Sequence, residues 1–580
     1  MRVFRGTPVS PGYGQGRAVP YQRKEYLFSA ASGAAAEDST TELHRAEAAR
    51  TAARRELKAL ARSLKESYGF DEAHIFHAQF LILEDELFTG LIHDGVAKGR
   101  SAEAAVVEAV RQIEEMFRDH ADPYLRERAV DVCDVGARVL GHLVDKCSHP
   151  FARLPDAAVI VADQLFPSDT VFLERGRVRG IVTAQGSDNS HAAILARALG
   201  IPAVTAVEGI LDGCAPGDAI AVNGESGEVI LHIEGPKQAA YIRHARSYRT
   251  ALKEARQIAT HSTTRDGVDI SLLANVDREK DIEEAAKCQV AGIGLFRTEF
   301  LFLAEGGEAS EARQEEVYRH AARQMIGRPV TIRILDLAPD KVLLLSEDVL
   351  QVRAAIRDCG VHYALAHPEI LRPQLRAILR AAAEGDLKIL LPAVTGVTEI
   401  HAFRAFLQKV AAELQSEVGL VLRHVPVGAM IETPAALFML DAIAERADFL
   451  SLGTNDLLCH LFGSERQGGK ETAYEPSFLR ALDLTVRAAD ANGKPLSICG
   501  ELAGDPAFTA LLIGLGIRQF SMSPERLPEV RYNVSMISAD EATTLARRVL
   551  SMHTASDVER LLSENVDPWH RLLCDSDGAC

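Results

Sequence analysis

The chain has 580 residues, enough for several domains with a sizeable core in each, and its 47% hydrophobic, 25% charged and 6% aromatic residues are those of an ordinary folded protein. A net charge of −17 excludes a broad nucleic-acid surface or an anionic-membrane surface, though not a local basic pocket. The nine cysteines are scattered without metal-type spacing, no apolar run is long enough to span a bilayer, and MRVFRGTPVSPGYG has no hydrophobic signal region; the expectation is a cytoplasmic chain in a reducing compartment, with no nucleic-acid partner and no membrane insertion.

Residues 1–27 are strand-like and broken by Gly and Pro, with Val3-Phe4 and Gly14 to Val19 as candidates. From Ala36 to His149 Gly and Pro are sparse, and apolar residues recur every 3.6 positions. Leu43, Ala46, Leu57, Leu60, Ala61 and Leu64 form one stripe, and Ile75, Phe76, Phe80, Leu81 and Leu83 a second; Ala105 to Phe117 and Val130 to Val144 follow. This predicts an α-helical bundle. Short apolar runs then return at Ala157 to Ala162, Thr170-Val171, Val178 to Thr183, Ile201 to Val204, Asp218 to Val222 and Glu228 to His232. The simplest organisation is one α/β domain formed by residues 1–27 and 150–233, with the bundle at 36–149 inserted into it and a connecting helix at 234–260.

Within that domain lies IVTAQGSDNSHAAILARALGIPAV, residues 181–204. An apolar run ends in a small polar turn, a helical pattern opens at His191, and Gly200 with Pro202 stops it. His191 is thus expected at a helix N-terminus, where exposed amides and the helix dipole favour a bound or transferring anion, with Asn189 and Ser190 as capping types that could orient the ring. A lone histidine after serine is more often a cap or a surface residue, so this stretch alone does not make it catalytic.

From residue 261 to 575 strands and helices alternate. The strand candidates are Ile270 to Val276, Gly292 to Phe296, Val330 to Leu335, Lys388 to Val394, Val425 to Ile431, Phe449 to Leu452, Pro495 to Cys499 and Gln519 to Ser521. Helical patterns between them include Glu308 to Met325, Pro368 to Ala383, Val397 to Glu413, Pro434 to Arg446 and Phe478 to Asn492. This predicts a (β/α)8 TIM barrel, whose active site lies at the C-terminal strand ends. Those ends carry Arg297-Thr298-Glu299, Arg333 with Asp336, Glu432, Thr454-Asn455-Asp456 with Arg466 on the following loop, Cys499-Gly500-Glu501, and Ser521 with Ser523. Arginine forks suit carboxylate and phosphate, and paired carboxylates suit Mg²⁺. A small phosphorylated acid is the natural guest, and Cys499 beside it could give a proton to a carbanion or enolate.

These stretches resemble enzyme I of the bacterial phosphoenolpyruvate–sugar phosphotransferase system over nearly the whole chain. The resemblance rests on PSDT (167–170) and GSDNSHAAILARALGIPAV, on DEAHIFHAQFLILEDELF (71–88) and DPYLRERAVDVCDVGARVL (122–140), and in the barrel on GIGLFRTEFLF, ILRPQLRAILRA, IETPAALFMLD, FLSLGTNDLLCH, ICGELAGDP and LLIGLGIRQFSMSP. It implies a swivelling phosphohistidine domain carrying His191, an inserted helical domain that docks the phosphocarrier protein HPr, and a barrel that binds phosphoenolpyruvate and forms a homodimer. It implies Arg297, Arg333, Arg466 and Asn455 as phosphoenolpyruvate-binding residues, with Glu432 and Asp456 as Mg²⁺ ligands and Asp456 also at the substrate. Cys499 matches the proton donor to the enolpyruvate carbon. The implied reaction moves the phosphoryl group of phosphoenolpyruvate to His191 and then to a histidine of HPr, releasing pyruvate. His191 must serve the barrel in one step and HPr in the next, which calls for a hinge.

The sequence departs from the family at Asn189, where threonine is usual, and after Asp336, where Leu337-Ala338-Pro339-Asp340-Lys341 replaces Ile-Gly-Gly-Asp-Lys and the following loop is shortened. Arg353 and Arg357 are the candidates for the arginine that loop carries. Two alternatives stand beside the phosphotransferase. One is a degenerate regulatory relative that binds HPr or phosphoenolpyruvate with little turnover. The other is a pyruvate phosphate dikinase-like enzyme, disfavoured because a helical bundle is inserted where an ATP-binding domain would be expected and no Gly-rich nucleotide loop is found.

Overall fold

The computed structural model describes residues 1–21, 38–68, 79–80, 82–118, 123–144, 151, 154–165, 169, 177–186, 193, 196, 199–257, 262–304, 309–336, 360–419, 422–463, 470–565 and 568. The chain divides into two compact units, Met1–Tyr248 and Arg249–Cys580.

The first unit holds an eight-stranded mixed sheet. Its strands are β1 (Arg2–Arg5), β2 (Thr7–Ser10), β3 (Tyr13–Tyr21), β4 (Ala158–Ala162), β5 (Val178–Thr183), β6 (Ala203–Thr205), β7 (Ala219–Asn223) and β8 (Glu228–Leu231), in the order β1-β8-β7-β3-β4-β5-β6-β2. β3 and β4 are parallel neighbours, Arg17 opposite Ala158 and Tyr21 opposite Ala162, although the whole bundle separates them in sequence. β4 reads Ala-Val-Ile-Val-Ala and is buried along its whole length, as expected for a parallel strand covered on both faces. β2, absent from the sequence reading because Gly6 and Pro8 break its pattern, pairs antiparallel with β6. The predicted strand at Thr170-Val171 lies outside the described residues.

The inserted helices are α1 (Ser39–Tyr68), α2 (Glu86–Ala97), α3 (Ala102–Arg118) and α4 (Pro123–Leu143). Ala53, Leu57, Phe88, Val106, Val135 and Val139 form their core. Buried Glu42 of α1 accepts from the Ala102 backbone N–H at 2.7 Å, so one helix caps the start of another. The connecting helix α5 (Gly235–Gln257) leans on the sheet through aromatic side chains. Tyr13 packs against Tyr241 and Tyr248, with ring centroids 5.7 and 5.3 Å apart, and Tyr248 donates to Glu225 at 3.1 Å.

The second unit is a closed barrel. After a short β9 (Ser262–Thr263) come β10 (Asp269–Val276), β11 (Ile293–Arg297), β12 (Pro329–Arg333), β13 (Asp386–Leu391), β14 (Val427–Ile431), β15 (Leu450–Gly453), β16 (Leu496–Cys499) and β17 (Gln519–Met522). Each pairs in parallel with the next, and β17 returns to β10. All eight strands sit where the apolar runs placed them. Leu295, Leu390, Met430, Phe449 and Cys499 pack together as one buried cluster, while the alternate residues of the same strands join the larger core made with the helices. One helical pattern differs: Pro434 to Arg446 forms two helices, Pro434–Phe438 and Leu440–Arg446, broken at Met439 with φ −117° and ψ 16°.

Helix Thr509–Leu515 approaches helix Ala539–Leu550 so closely at Gly514 that a Cβ there would overlap the Ala542 carbonyl. Gly514→Ala should therefore destabilise the barrel by about 1–3 kcal/mol, as overpacking does. Urea unfolding followed by circular dichroism measures it; an unchanged midpoint would show that these helices separate freely.

Candidate active site

The C-terminal ends of the barrel strands gather the charged residues. Arg297 and Arg333 end β11 and β12 and stand directly opposite each other in register. Both belong to the same mouth, so each guanidinium needs acidic partners. Arg297 Nη1 is 3.1 and 3.2 Å from the two oxygens of Asp277, which follows β10. Asp277 is the main reason the Arg297 guanidinium is held above its ordinary value. Arg333 is buried; it pairs with fully buried Glu299, lies 3.2 Å from Asp336, and has Met430 Sδ at 3.9 Å. Burial works against its charge, but Glu299, Asp336, Glu432 and Asp456 outweigh that and keep it firmly protonated.

Glu432 follows β14 and is buried. One carboxylate oxygen accepts from the Ala393 backbone N–H at 2.6 Å. Ala393 reaches that position with φ 50°, a left-handed conformation that L-residues adopt only under constraint. The other oxygen, Oε2, has no hydrogen-bond partner among the described residues. Burial, then the negative charge of Asp456, push the Glu432 carboxyl well above the usual carboxylate range. Gly453 leaves room for it, since a Cβ there would come within 2.6 Å of Oε2. Asn455 and Asp456 lie in the first turn of helix Thr454–Phe462, where Asn455 Oδ1 accepts from the Glu501 N–H at 3.1 Å. Cys499 ends β16 at 2% exposure; its Sγ donates to the Leu452 carbonyl at 3.2 Å and lies 3.4 Å from Ser451 Oγ. Burial is the chief cause that pushes its thiol up to about 11.

The structure therefore brings Arg297, Arg333, Glu432, Asn455, Asp456 and Cys499 to one end of the barrel, together with Glu299 and Asp336. Ser521 turns instead to Asn275, 2.6 Å away. His191, Arg466, Asp340, Arg353 and Arg357 lie outside the described residues; near His191, Ala193, Ala196 and Leu199 are helical and buried. Sequence reasoning passed over Asp277, although it follows strand β10 just as the other site residues follow theirs. It also passed over Gln374, whose signal is a lone polar residue in the apolar stripe Leu371, Leu375, Ile378.

An arginine-lined barrel mouth with buried carboxylates has the chemistry that suits a small phosphorylated acid. Three sequence families describe such enzymes and match the chain: the N-terminal domain of the PEP-utilising enzymes over residues 5–128, their mobile domain over 154–227 and their PEP-binding domain over 252–539. Curated phosphoenolpyruvate-protein phosphotransferases align almost end to end. That of Listeria innocua is 33% identical over 91% of this chain and 93% of its own length; that of Geobacillus stearothermophilus is 34% identical over 96% and 97%; that of Haloferax volcanii is 36% identical over 90% and 92%. The chain belongs to the phosphoenolpyruvate-protein phosphotransferase family.

Two measurements check this geometry. Glu299→Gln leaves the buried Arg333 short of its nearest countercharge and should cost roughly 3 kcal/mol or more of stability in urea unfolding; a loss near zero would mean water reaches the pair. Because burial keeps the Cys499 thiol protonated, iodoacetamide at about pH 8 should leave its peptide unmodified in the native protein and label it after denaturation. Native labelling, read by mass spectrometry, would show an open or ionised thiol.

Proposed function

We propose that this protein transfers the phosphoryl group of phosphoenolpyruvate to its own His191 and then to a histidine of the phosphocarrier HPr, releasing pyruvate, as the entry step of a sugar phosphotransferase system in the cytoplasm. The observation that carries it is the in-register pair Arg297 and Arg333 at the barrel mouth, inside a chain that aligns almost end to end with phosphotransferases of that name. The inserted bundle, with its domain match, is the part we assign to HPr docking. No helix among the described residues is long and apolar enough to cross a membrane.

In this reading Arg297, Arg333 and Arg466 hold the carboxylate and phosphate of the substrate, with Asn455 beside them. As the bond between phosphorus and the enol oxygen breaks, the guanidiniums stabilise charge on the transferring group and on the leaving enolate. Neutral His191 forms the new bond to phosphorus. Cys499, kept as a thiol by burial, supplies the proton that converts the enolate to pyruvate and recovers it from solvent.

Glu432 and Asp456 fit a divalent cation: Asp456 is near enough for its charge to act on buried Glu432, and Glu432 Oε2 has no hydrogen-bond partner among the described residues. We assign Mg²⁺ to them; when bound, it would offset the negative charge that gathers on the phosphoryl and enolate oxygens. For homodimerisation, the exposed apolar side chains Phe438, Met439 and Phe462 of the barrel are the face we assign, with Phe438 89% exposed.

Intact mass after incubation with phosphoenolpyruvate and Mg²⁺ tests the reaction. The wild type should gain one acid-labile phosphoryl group and His191→Ala none; a folded wild type that gains nothing would move the assignment to a regulatory relative that only binds. Glu432 also predicts a pH effect. Its folded-state value is raised, so the metal-free protein binds more protons than the unfolded chain and loses stability as pH climbs from the usual carboxylate range toward the raised value. A proton and Mg²⁺ compete for the same oxygen, so the rise in Tm on adding Mg²⁺ should be larger at about pH 8 than at about pH 6. An equal rise at both would remove Glu432 from the cation site.

A further inference from the structure

Gln374 projects from the buried face of helix Pro368–Ala381 and is fully enclosed. Both ends of its amide are engaged. Oε1 accepts from the Leu335 N–H at 3.1 Å, and Nε2 donates to Thr298 Oγ1 at 3.1 Å and to the Tyr318 hydroxyl at 3.3 Å. Thr298 passes the bond on, donating from Oγ1 to the Arg333 carbonyl at 3.0 Å.

The two residues held directly are neighbours of the site groups. Thr298 lies between Arg297 and Glu299 in the chain, and Leu335 lies between Arg333 and Asp336. The ladder to β13 continues past Arg333 only as far as Ile334, whose N–H donates to the Leu390 carbonyl at 3.1 Å. Leu335 is the first residue beyond it, and its N–H goes to the amide oxygen of Gln374. One side chain thus ties together the ends of the two strands that carry the arginines.

We propose that Gln374 is a positioning residue for phosphoenolpyruvate: through Thr298 and Leu335 it fixes the spacing between Arg297 and Arg333 and holds Asp336 against the latter. This rests on the assignment of the barrel mouth as the phosphoenolpyruvate site. The network has a second arm that leads away from that mouth. Tyr318 donates to Gln314 at 3.2 Å, and Gln314 donates to the Ala309 carbonyl at 2.8 Å. The outer arm secures helix Glu311–Gln324, whereas the inner arm bears on the arginines, so the two are separable by mutation.

The test is steady-state phosphoryl transfer from phosphoenolpyruvate to HPr, with Tm measured on every sample and the assay run well below it. Gln374→Met keeps the volume and removes both ends of the clamp; Thr298→Val keeps the shape and removes the relay hydroxyl, and serves if Gln374→Met does not fold. Each should raise KM for phosphoenolpyruvate about tenfold or more, with a smaller change in kcat. Tyr318→Phe cuts only the outer arm and should lower Tm while leaving KM within about twofold of wild type. A wild-type KM in both inner-arm variants would overturn the proposal. So would a KM shift in Tyr318→Phe as large as theirs, which would make Gln374 a general support of the helix layer. A wild type that does not take up phosphate from phosphoenolpyruvate would instead defeat the site assignment itself, before any variant is compared.

Discussion

The organisation of the barrel mouth follows from one constraint: Arg297 and Arg333 are placed opposite each other on adjacent strands, and Arg333 has almost no water around it. Two like charges at that separation cannot persist in a poorly solvated site without countercharges. Asp277 answers the first, and Glu299 and Asp336 answer the second. Glu432 and Asp456 extend the acidic ring around Arg333, so carboxyl groups outnumber the described arginines. In the proposed reading, a phosphorylated acid entering such a ring would meet acidic groups as well as arginine forks. A divalent cation held by Glu432 and Asp456 would offset that conflict, an electrostatic reason for assigning Mg²⁺ there.

Strain and burial serve the same end. Ala393 accepts an unfavourable backbone conformation, and its N–H then fixes one oxygen of Glu432 while the other has no partner among the described residues. Gly453 gives up a side chain for the same carboxylate, and Gly500, at φ 110°, does so for Thr454 and Asn455. These local costs are tolerated because the strands beneath are locked by two separate cores, one on each face of the barrel wall. The thiol of Cys499 belongs to the buried cluster with Leu295, Leu390, Met430 and Phe449, which is why it stays protonated.

Much of this was legible in the sequence. A parallel strand buried on both faces is a short apolar run, and each such run ends where the chain meets the mouth, so Arg297, Arg333, Glu432, Asn455, Asp456 and Cys499 could be collected from strand ends alone. Their pairing could not. That Arg333 chooses Glu299, and that Arg297 chooses Asp277 from a different strand, depends on register across the barrel, which periodicity does not encode. Gln374 was hidden for a related reason: a polar residue in an amphipathic helix reads as a solvated position until the helix is rotated against the barrel. β2 was lost because Gly6 and Pro8 break the alternation that marks a strand, and the break at Met439 because nothing local to Pro434–Arg446 forbids a continuous helix. His191, by contrast, was picked out by the turn and helix pattern around it, to which the buried helical positions Ala193, Ala196 and Leu199 correspond.

The insertion of the bundle between β3 and β4 has a consequence for anyone trying to reduce the protein. Those strands are parallel neighbours, so the chain leaves the sheet beyond Tyr21 and must re-enter at the opposite end, beside Arg17. A tight turn cannot close that gap; parallel strands need a crossover of a dozen or more residues. The bundle is therefore not a module hung on a loop but the crossover itself, enlarged. Cutting it out and rejoining the ends directly would break the sheet's topology, whereas replacing it with a single short helix would preserve the connection and yield a minimal version of this α/β domain.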